Sequence, residues 1–121
     1  MAFYSLLLNS RYTHIMNTSL SLFNRQIADW FSETYGEPTD IQQQAWPRIA
    51  NKEHLLITAP TGSGKTLTAF LWAINQFVTG ELDTGATRVL YISPLKALNN
   101  DIERNLNMPL AALRARAEAA G

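Results

Sequence analysis

Residues 59–66 read Ala59-Pro60-Thr61-Gly62-Ser63-Gly64-Lys65-Thr66. The apolar run Leu55-Leu56-Ile57 stands directly before them, and the spacing Leu67, Phe70, Leu71, Ile74 directly after. A glycine-rich turn ending in Lys-Thr, between a strand-like run and a helical one, has the layout of a phosphate-binding loop. The residue types supply the chemistry. Gly62 and Gly64 let the backbone curl with its N–H groups turned inward. The start of the following helix adds unpaired N–H groups and partial positive charge. Lys65 has the reach for β- and γ-phosphates, and the Thr66 hydroxyl suits a magnesium ion bridging them. The usual first glycine is Ala59 here. Allowing that, with glycine at about 7% of residues, chance gives such a match on the order of once per hundred chains of this length. The flanking strand and helix signals lower that further. Thr61, Gly62, Ser63, Gly64, Lys65 and Thr66 are therefore the expected nucleotide-phosphate ligands, with Thr66 at the metal.

Upstream, Phe23, Ile27, Trp30 and Phe31 recur at helical spacing and predict a helix over residues 22–35, closed by Gly36 and Pro38. Thr39-Asp40-Ile41-Gln42 is a capping-box pattern opening a second helix that runs to about residue 50. Pro47 inside it removes a backbone bond and predicts a kink. Residues 54–58 read as a first strand, residues 65–78 as a helix ended by Gly80, and residues 88–93 as a second strand rich in β-formers. Strand, helix, strand predicts a right-handed βαβ unit with parallel strands. A further helix is expected over residues 95–106, and Pro109 opens an alanine-rich one over residues 110–119. The expected fold class is thus α/β: an incomplete P-loop NTPase domain, one βαβ unit with parallel strands flanked by helices. Residues 21–121 form that domain, and residues 1–20, without clear period, read as a loosely ordered arm.

Two further segments, around Gln42 and over residues 91–100, narrow the reading; the latter and the phosphate loop lie where an open α/β sheet binds ligands, beyond the carboxyl ends of its strands. Gln42 has one acceptor and two donors, enough to pair with the N6/N7 edge of adenine. It is equally the third helical residue of the capping box, and the local pattern leaves both roles open. Lys96, in Ser93-Pro94-Leu95-Lys96, could hold a nucleic-acid phosphate with the helix start behind it, or be a solvated surface lysine.

Composition bounds the rest. Ten Lys/Arg balance ten Asp/Glu, so there is no overall electrostatic footprint for nucleic acid, though a local cluster could serve. Cysteine is absent, which excludes disulfides and thiolate metal sites and fits a reducing, cytoplasmic setting. No stretch reads as membrane-spanning. Residues 1–8 are faintly signal-like but lack a basic start, and Asn9, Ser10 and Arg11 cut the run short. His14 and His54 lack metal-ligand spacing, and Ser93 lacks the surroundings of a nucleophile elbow.

Taken together, the segments resemble the first motor domain of superfamily 2 DEAD/DEAH-box helicases. Pro38-Thr39 with Ile41-Gln42 resembles the Q motif, residues 59–66 motif I, and residues 93–98 motif Ia. The spelling is similar to that of the large helicase-related (Lhr-type) ATP-dependent helicases. Gly36-Glu37-Pro38-Thr39, Gln44-Ala45-Trp46-Pro47, residues 66–72, residues 90–98 and residues 101–106 carry that likeness, which covers about residues 22–113. It implies a RecA-like fold, ATP and Mg as cofactors, and an adenine-reading role for Gln42. It implies an aromatic stacked on the base, for which Phe23 is the nearest candidate, since the residue seventeen before Gln42 is Arg25. It implies nucleic-acid contacts from Pro94, Lys96 and Asn99, with single-stranded DNA ahead of RNA, and the rest of a parent helicase as partner. The family's Asp-Glu pair, which holds magnesium and activates water, has no counterpart, because no Asp-Glu dipeptide occurs in the sequence. The chain accordingly reads as the first third of one motor domain. The alternatives are a nucleotide-binding module without turnover, a truncated gene product, and a small P-loop kinase.

Overall fold

A computed structural model describes residues 19–92 and 102–120 of the chain. Helix α1 spans Arg25–Tyr35, α2 Asp40–Ala50, α3 Lys65–Val78 and α4 Met108–Ala120. A 3₁₀ turn, Leu20–Leu22, precedes α1, and a π-helical turn, Glu103–Asn107, leads into α4. Residues 1–18 of the expected arm and residues 93–101, with Pro94, Lys96 and Asn99, lie outside the described residues.

Local chemistry explains the helices. The Asn24 side chain accepts a hydrogen bond from Gln26 N at 2.9 Å, capping α1, and Gly36 closes it. One face of α1, Ile27, Trp30 and Phe31, is buried at i, i+3, i+4 spacing. The predicted capping box of α2 is formed: Gln42 N donates to Thr39 Oγ1 (3.4 Å) and Thr39 N donates to Gln42 Oε1 (2.9 Å). α2 runs through Pro47 and buries Gln42, Ala45 and Trp46. α3 buries Leu67, Phe70, Leu71 and Ile74, and α4 carries Pro109 as its second residue, where the first turn of a helix accepts proline without losing a bond.

These faces share one core. Leu20, Phe23, Ile27, Trp30, Phe31, Trp46, Leu67, Leu71, Ile74 and Leu113 form a single cluster. α2 packs against α3, the π-helical turn packs against α3 and α4, and α4 packs against α1. Arg116 on α4 donates to Glu33 on α1 across that last contact. Trp46 is fully buried, with Phe23 and Phe31 edge-on to it at 4.7 and 5.4 Å between ring centroids. Its indole Nε1–H donates to the Thr68 carbonyl at 3.0 Å, which ties α2 to the first turn of α3.

The expected α/β class and its βαβ unit are not formed. Among the described residues there is no β-strand; the structure is helical. Residues 54–58 make no hydrogen bond among the described residues. Their exposure still alternates as a strand's would: Leu55 and Ile57 are half-buried, while His54, Leu56 and Thr58 are exposed. Leu56 is 91% exposed. The second expected strand is similar, with Leu90 and Ile92 exposed at 78% and 82%. The physical reason is pairing. A strand exists only through a neighbour's N–H and C=O groups, and a parallel one also needs both faces covered. Here each run has the helices on one side and solvent on the other.

Candidate functional site: the phosphate loop and its cavity

The loop takes its shape from its glycines. Gly62 and Gly64 have φ of +84° and +85°, a region that L side chains rarely adopt. Gly64 is the N-cap of α3, and its carbonyl accepts from Thr68 N (2.9 Å) and Thr68 Oγ1 (2.7 Å). Ser63 N and Oγ both donate to the Pro60 carbonyl, at 3.3 and 2.7 Å. Lys65 is folded back onto its own loop: Nζ donates to the carbonyls of Ala59 and Pro60, the latter at 3.1 Å.

The capping box of α2 is built into this loop. Thr39 Oγ1, which accepts from Gln42 N, also donates to the Ser63 carbonyl at 3.1 Å. Gln42 is 2% exposed and its amide lies against Gly64. A Cβ at Gly64 would stand 2.7 Å from Gln42 Nε2. Gly64 is therefore constrained twice, by its backbone and by the side chain it faces.

Loop and cap open into one cavity of about 580 Å³. Thr61, Gly62, Ser63, Gly64, Lys65, Thr66 and Gln42 all line it. So the predicted phosphate residues and the predicted base-reading residue are brought together. Phe23 is not among them: it is 7% exposed and packs edge-on against Trp46 and Trp72 in the core. Phe31 and Tyr35 line it instead, with ring centroids 5.2 Å apart; Phe31 is itself a core ring, 1% exposed, which leaves Tyr35 as the accessible aromatic. Tyr35 is half-exposed at the rim and stands edge-on to Trp30.

The sequence reading gave Tyr35, Arg104 and Asn105 no role in a site, and all three line the cavity. The signal for Tyr35 was present. Tyr35 lies just ahead of the turn that carries Thr39 and Gln42, so the same turn brings it to the cavity. Nothing in local spacing pointed to Arg104, which reaches the cavity from a distant part of the chain. Among the described residues no cluster of His, Cys, Asp or Glu could hold a metal ion by itself. A magnesium ion here would therefore arrive on its phosphate ligand, with the Thr66 hydroxyl as the protein's contribution. The cavity's size, hydroxyls and lysine fit such a group.

The loop thus sits on the first turn of α3, with the glutamine cap of α2 set against it. A family model for DEAD/DEAH box helicases matches residues 39–120, and the chain belongs to that family, in its Lhr-type branch. It is 46% identical over 99 residues to the Lhr helicase/uracil glycosylase of Escherichia coli (strain K12), a match covering 76% of this chain and 6% of that protein. It is 45% identical over 98 residues to the ATP-dependent helicase Lhr-Core of Methanothermobacter thermautotrophicus, covering 78% of this chain and 11% of that one. The ATP-dependent RNA helicase ROK1 of Vanderwaltozyma polyspora is 42% identical over 85 residues, 70% of this chain and 15% of its own length. The chain thus spans a small part of the curated relatives it matches. No solved structure matches it. The family match also answers the kinase alternative, since it places the chain among helicases.

Proposed function

We propose that this chain binds Mg·ATP in the loop cavity and serves as part of an ATP-dependent helicase that acts on nucleic acid. The observation that carries the reading is the junction of Thr39, Gln42 and Ser63–Gly64. It sets an adenine-compatible amide and a phosphate loop on one rigid cap. Tyr35, half-exposed beside the cavity, offers a face for a base, since ring stacking adds about 0.5–1.5 kcal/mol beyond area burial. Lys65 would leave the carbonyls of Ala59 and Pro60 for a phosphate oxygen, exchanging neutral acceptors for a charged one. Thr66, at the first turn of α3, would offer its hydroxyl to the metal. Bound magnesium would neutralise charge on the phosphate oxygens. Pro94, Lys96 and Asn99 remain the proposed contacts to nucleic acid, with single-stranded DNA ahead of RNA.

For the 121 residues themselves, a second reading has its own support: binding without turnover, because the sequence has no Asp-Glu dipeptide to activate water. Calorimetric titration with Mg·ATP tests binding, with Lys65→Ala as the control. We expect saturable binding that Lys65→Ala abolishes. Equal heats from both proteins would remove the nucleotide reading altogether. Phosphate release followed beside it separates the two versions. Release no greater than from Lys65→Ala supports the module, and clear excess release supports an enzyme.

A further inference from the structure

The nucleotide cavity has a cation that the loop motif does not account for. Arg104 stands on the π-helical turn Glu103–Asn107 and lines the same cavity as residues 61–66. The only other charged side chains lining that cavity, among the described residues, are Lys65 and Glu37. Four of the other described arginines are paired: Arg25 with Asp29, Arg88 with Asp83, Arg114 with Glu118 and Arg116 with Glu33. Arg104 has no carboxylate partner among the described residues, and neither does Arg48, which does not line the cavity.

The backbone under Arg104 is held. Its turn packs against α3 and α4, and Leu106, two residues on, lies against the hydrophobic core. A π-helical turn re-aims side chains relative to the α-helix that follows it, and such turns gather at functional sites. Lys65, by contrast, is tied to the Ala59 and Pro60 carbonyls. In this state Arg104 is the cavity's uncommitted positive charge. A guanidinium presents a planar fork that grips phosphate oxygens in pairs, where a lysine acts as a point charge.

We infer that Arg104 is a second cationic ligand for the polyphosphate tail of the nucleotide, acting beside Lys65 and setting preference for the phosphorylated ligand. The inference rests on the nucleotide reading above and specifies its recognition. The test uses the full chain and four proteins: wild type, Arg104→Ala, Arg104→Lys, and Arg48→Ala as a control for net charge. Circular dichroism checks that each keeps its helices, which replacing an exposed side chain should not disturb. Affinities are measured for Mg·ATP, for inorganic pyrophosphate with magnesium, and for a short single-stranded DNA.

One lost charge-assisted contact predicts about a tenfold or greater loss in Arg104→Ala for both Mg·ATP and pyrophosphate. Arg104→Lys should recover part of it and Arg48→Ala should match wild type. A loss for ATP with pyrophosphate unchanged would put Arg104 on the base or sugar and overturn the inference. A loss for DNA alone would assign it to a strand backbone and overturn it equally. Unchanged affinities throughout would show the guanidinium to be idle. If wild type itself binds neither ATP nor pyrophosphate, the nucleotide reading fails first and this inference with it.

Discussion

Gly64 concentrates the site's constraints at one atom. Its φ of +85° disfavours any Cβ, and the Cβ would also meet Gln42 Nε2 at 2.7 Å. Gly62 has the same kind of φ, yet nothing lies within 4 Å of its Cβ position. The pair separates backbone strain from side-chain collision. Gly62→Ala should cost about 1–2 kcal/mol in chemical denaturation, the left-handed penalty alone. Gly64→Ala should cost clearly more and should also weaken Mg·ATP binding; equal losses would mean that the Gln42 contact yields freely. Gln42 carries a second prediction. If its amide reads the adenine edge, titration should show ATP preferred over GTP by about 1–3 kcal/mol, by analogy with bidentate readout on DNA. Identical affinities would leave Gln42 as a helix cap only. At this scale the sequence was most legible where the chemistry is local. The loop glycines, Lys65 and the Thr39–Gln42 box are all recognisable within eight residues. Phe23 was misleading because one aromatic at helical spacing looks like another; only packing distinguishes the core rings of Phe23 and Phe31 from the exposed ring of Tyr35.

Among the elements, α2 acts as a brace for the start of α3. It is attached at two points, Thr39 Oγ1 to the Ser63 carbonyl and Trp46 Nε1 to the Thr68 carbonyl. Trp46→Phe keeps most of the apolar contact with Phe23 and Phe31 but removes the buried donor. It should destabilise the chain by about 1–2 kcal/mol in urea melts, with no loss of helix content. Thr39→Ala removes both the α2 cap and the loop tie and should cost about 0.5–2 kcal/mol, while Thr39→Ser should restore most of it. A Thr39→Ser protein no more stable than Thr39→Ala would deny the hydroxyl its double role. The element boundaries show why helices were readable and strands were not. α3 was expected over residues 65–78 and is Lys65–Val78. Its limits are local, a glycine cap in front and Thr79–Gly80 behind. Residues 54–58 and 88–92 have the right composition for strands, and the first also has alternating exposure. Composition cannot supply the neighbouring backbone that a strand requires.

For the molecule as a whole, the two runs that find no strand partner among the described residues are the dominant liability. Leu56, Leu90 and Ile92 are exposed, and an apolar hollow of about 650 Å³ beside α3, lined in part by Phe70, Phe77, Val89 and Leu110, adds to them. Exposed apolar runs with free N–H and C=O groups favour association between chains. Sedimentation velocity should therefore show mass rising with concentration. Charged replacements at Leu56 and Ile92 should shift the chain toward monomer without altering its helical spectrum. A strictly monomeric wild type across the accessible concentration range would contradict this. None of this was visible from overall composition, since 46% apolar content is ordinary for a folded domain. What matters is which apolar residues the helices leave uncovered.

The phosphate loop is tied to α2 and α3 through its Ser63–Gly64 end, while its Ala59–Pro60 end is held only by Ser63 and Lys65 of the loop itself. On its α3 side, Thr68 holds the Gly64 carbonyl and Thr39 holds the Ser63 carbonyl. On its other side, residues 54–58 have no hydrogen bond among the described residues. It is a clasp with a single hinge. Amide hydrogens before Pro60 should exchange for deuterium almost as fast as in free peptide, while those in the middle of α3 stay protected. The boundary would fall inside one eight-residue motif. An entering ligand could then push aside the free half, with the Ala59 and Pro60 carbonyls that hold Lys65, and leave the core at rest.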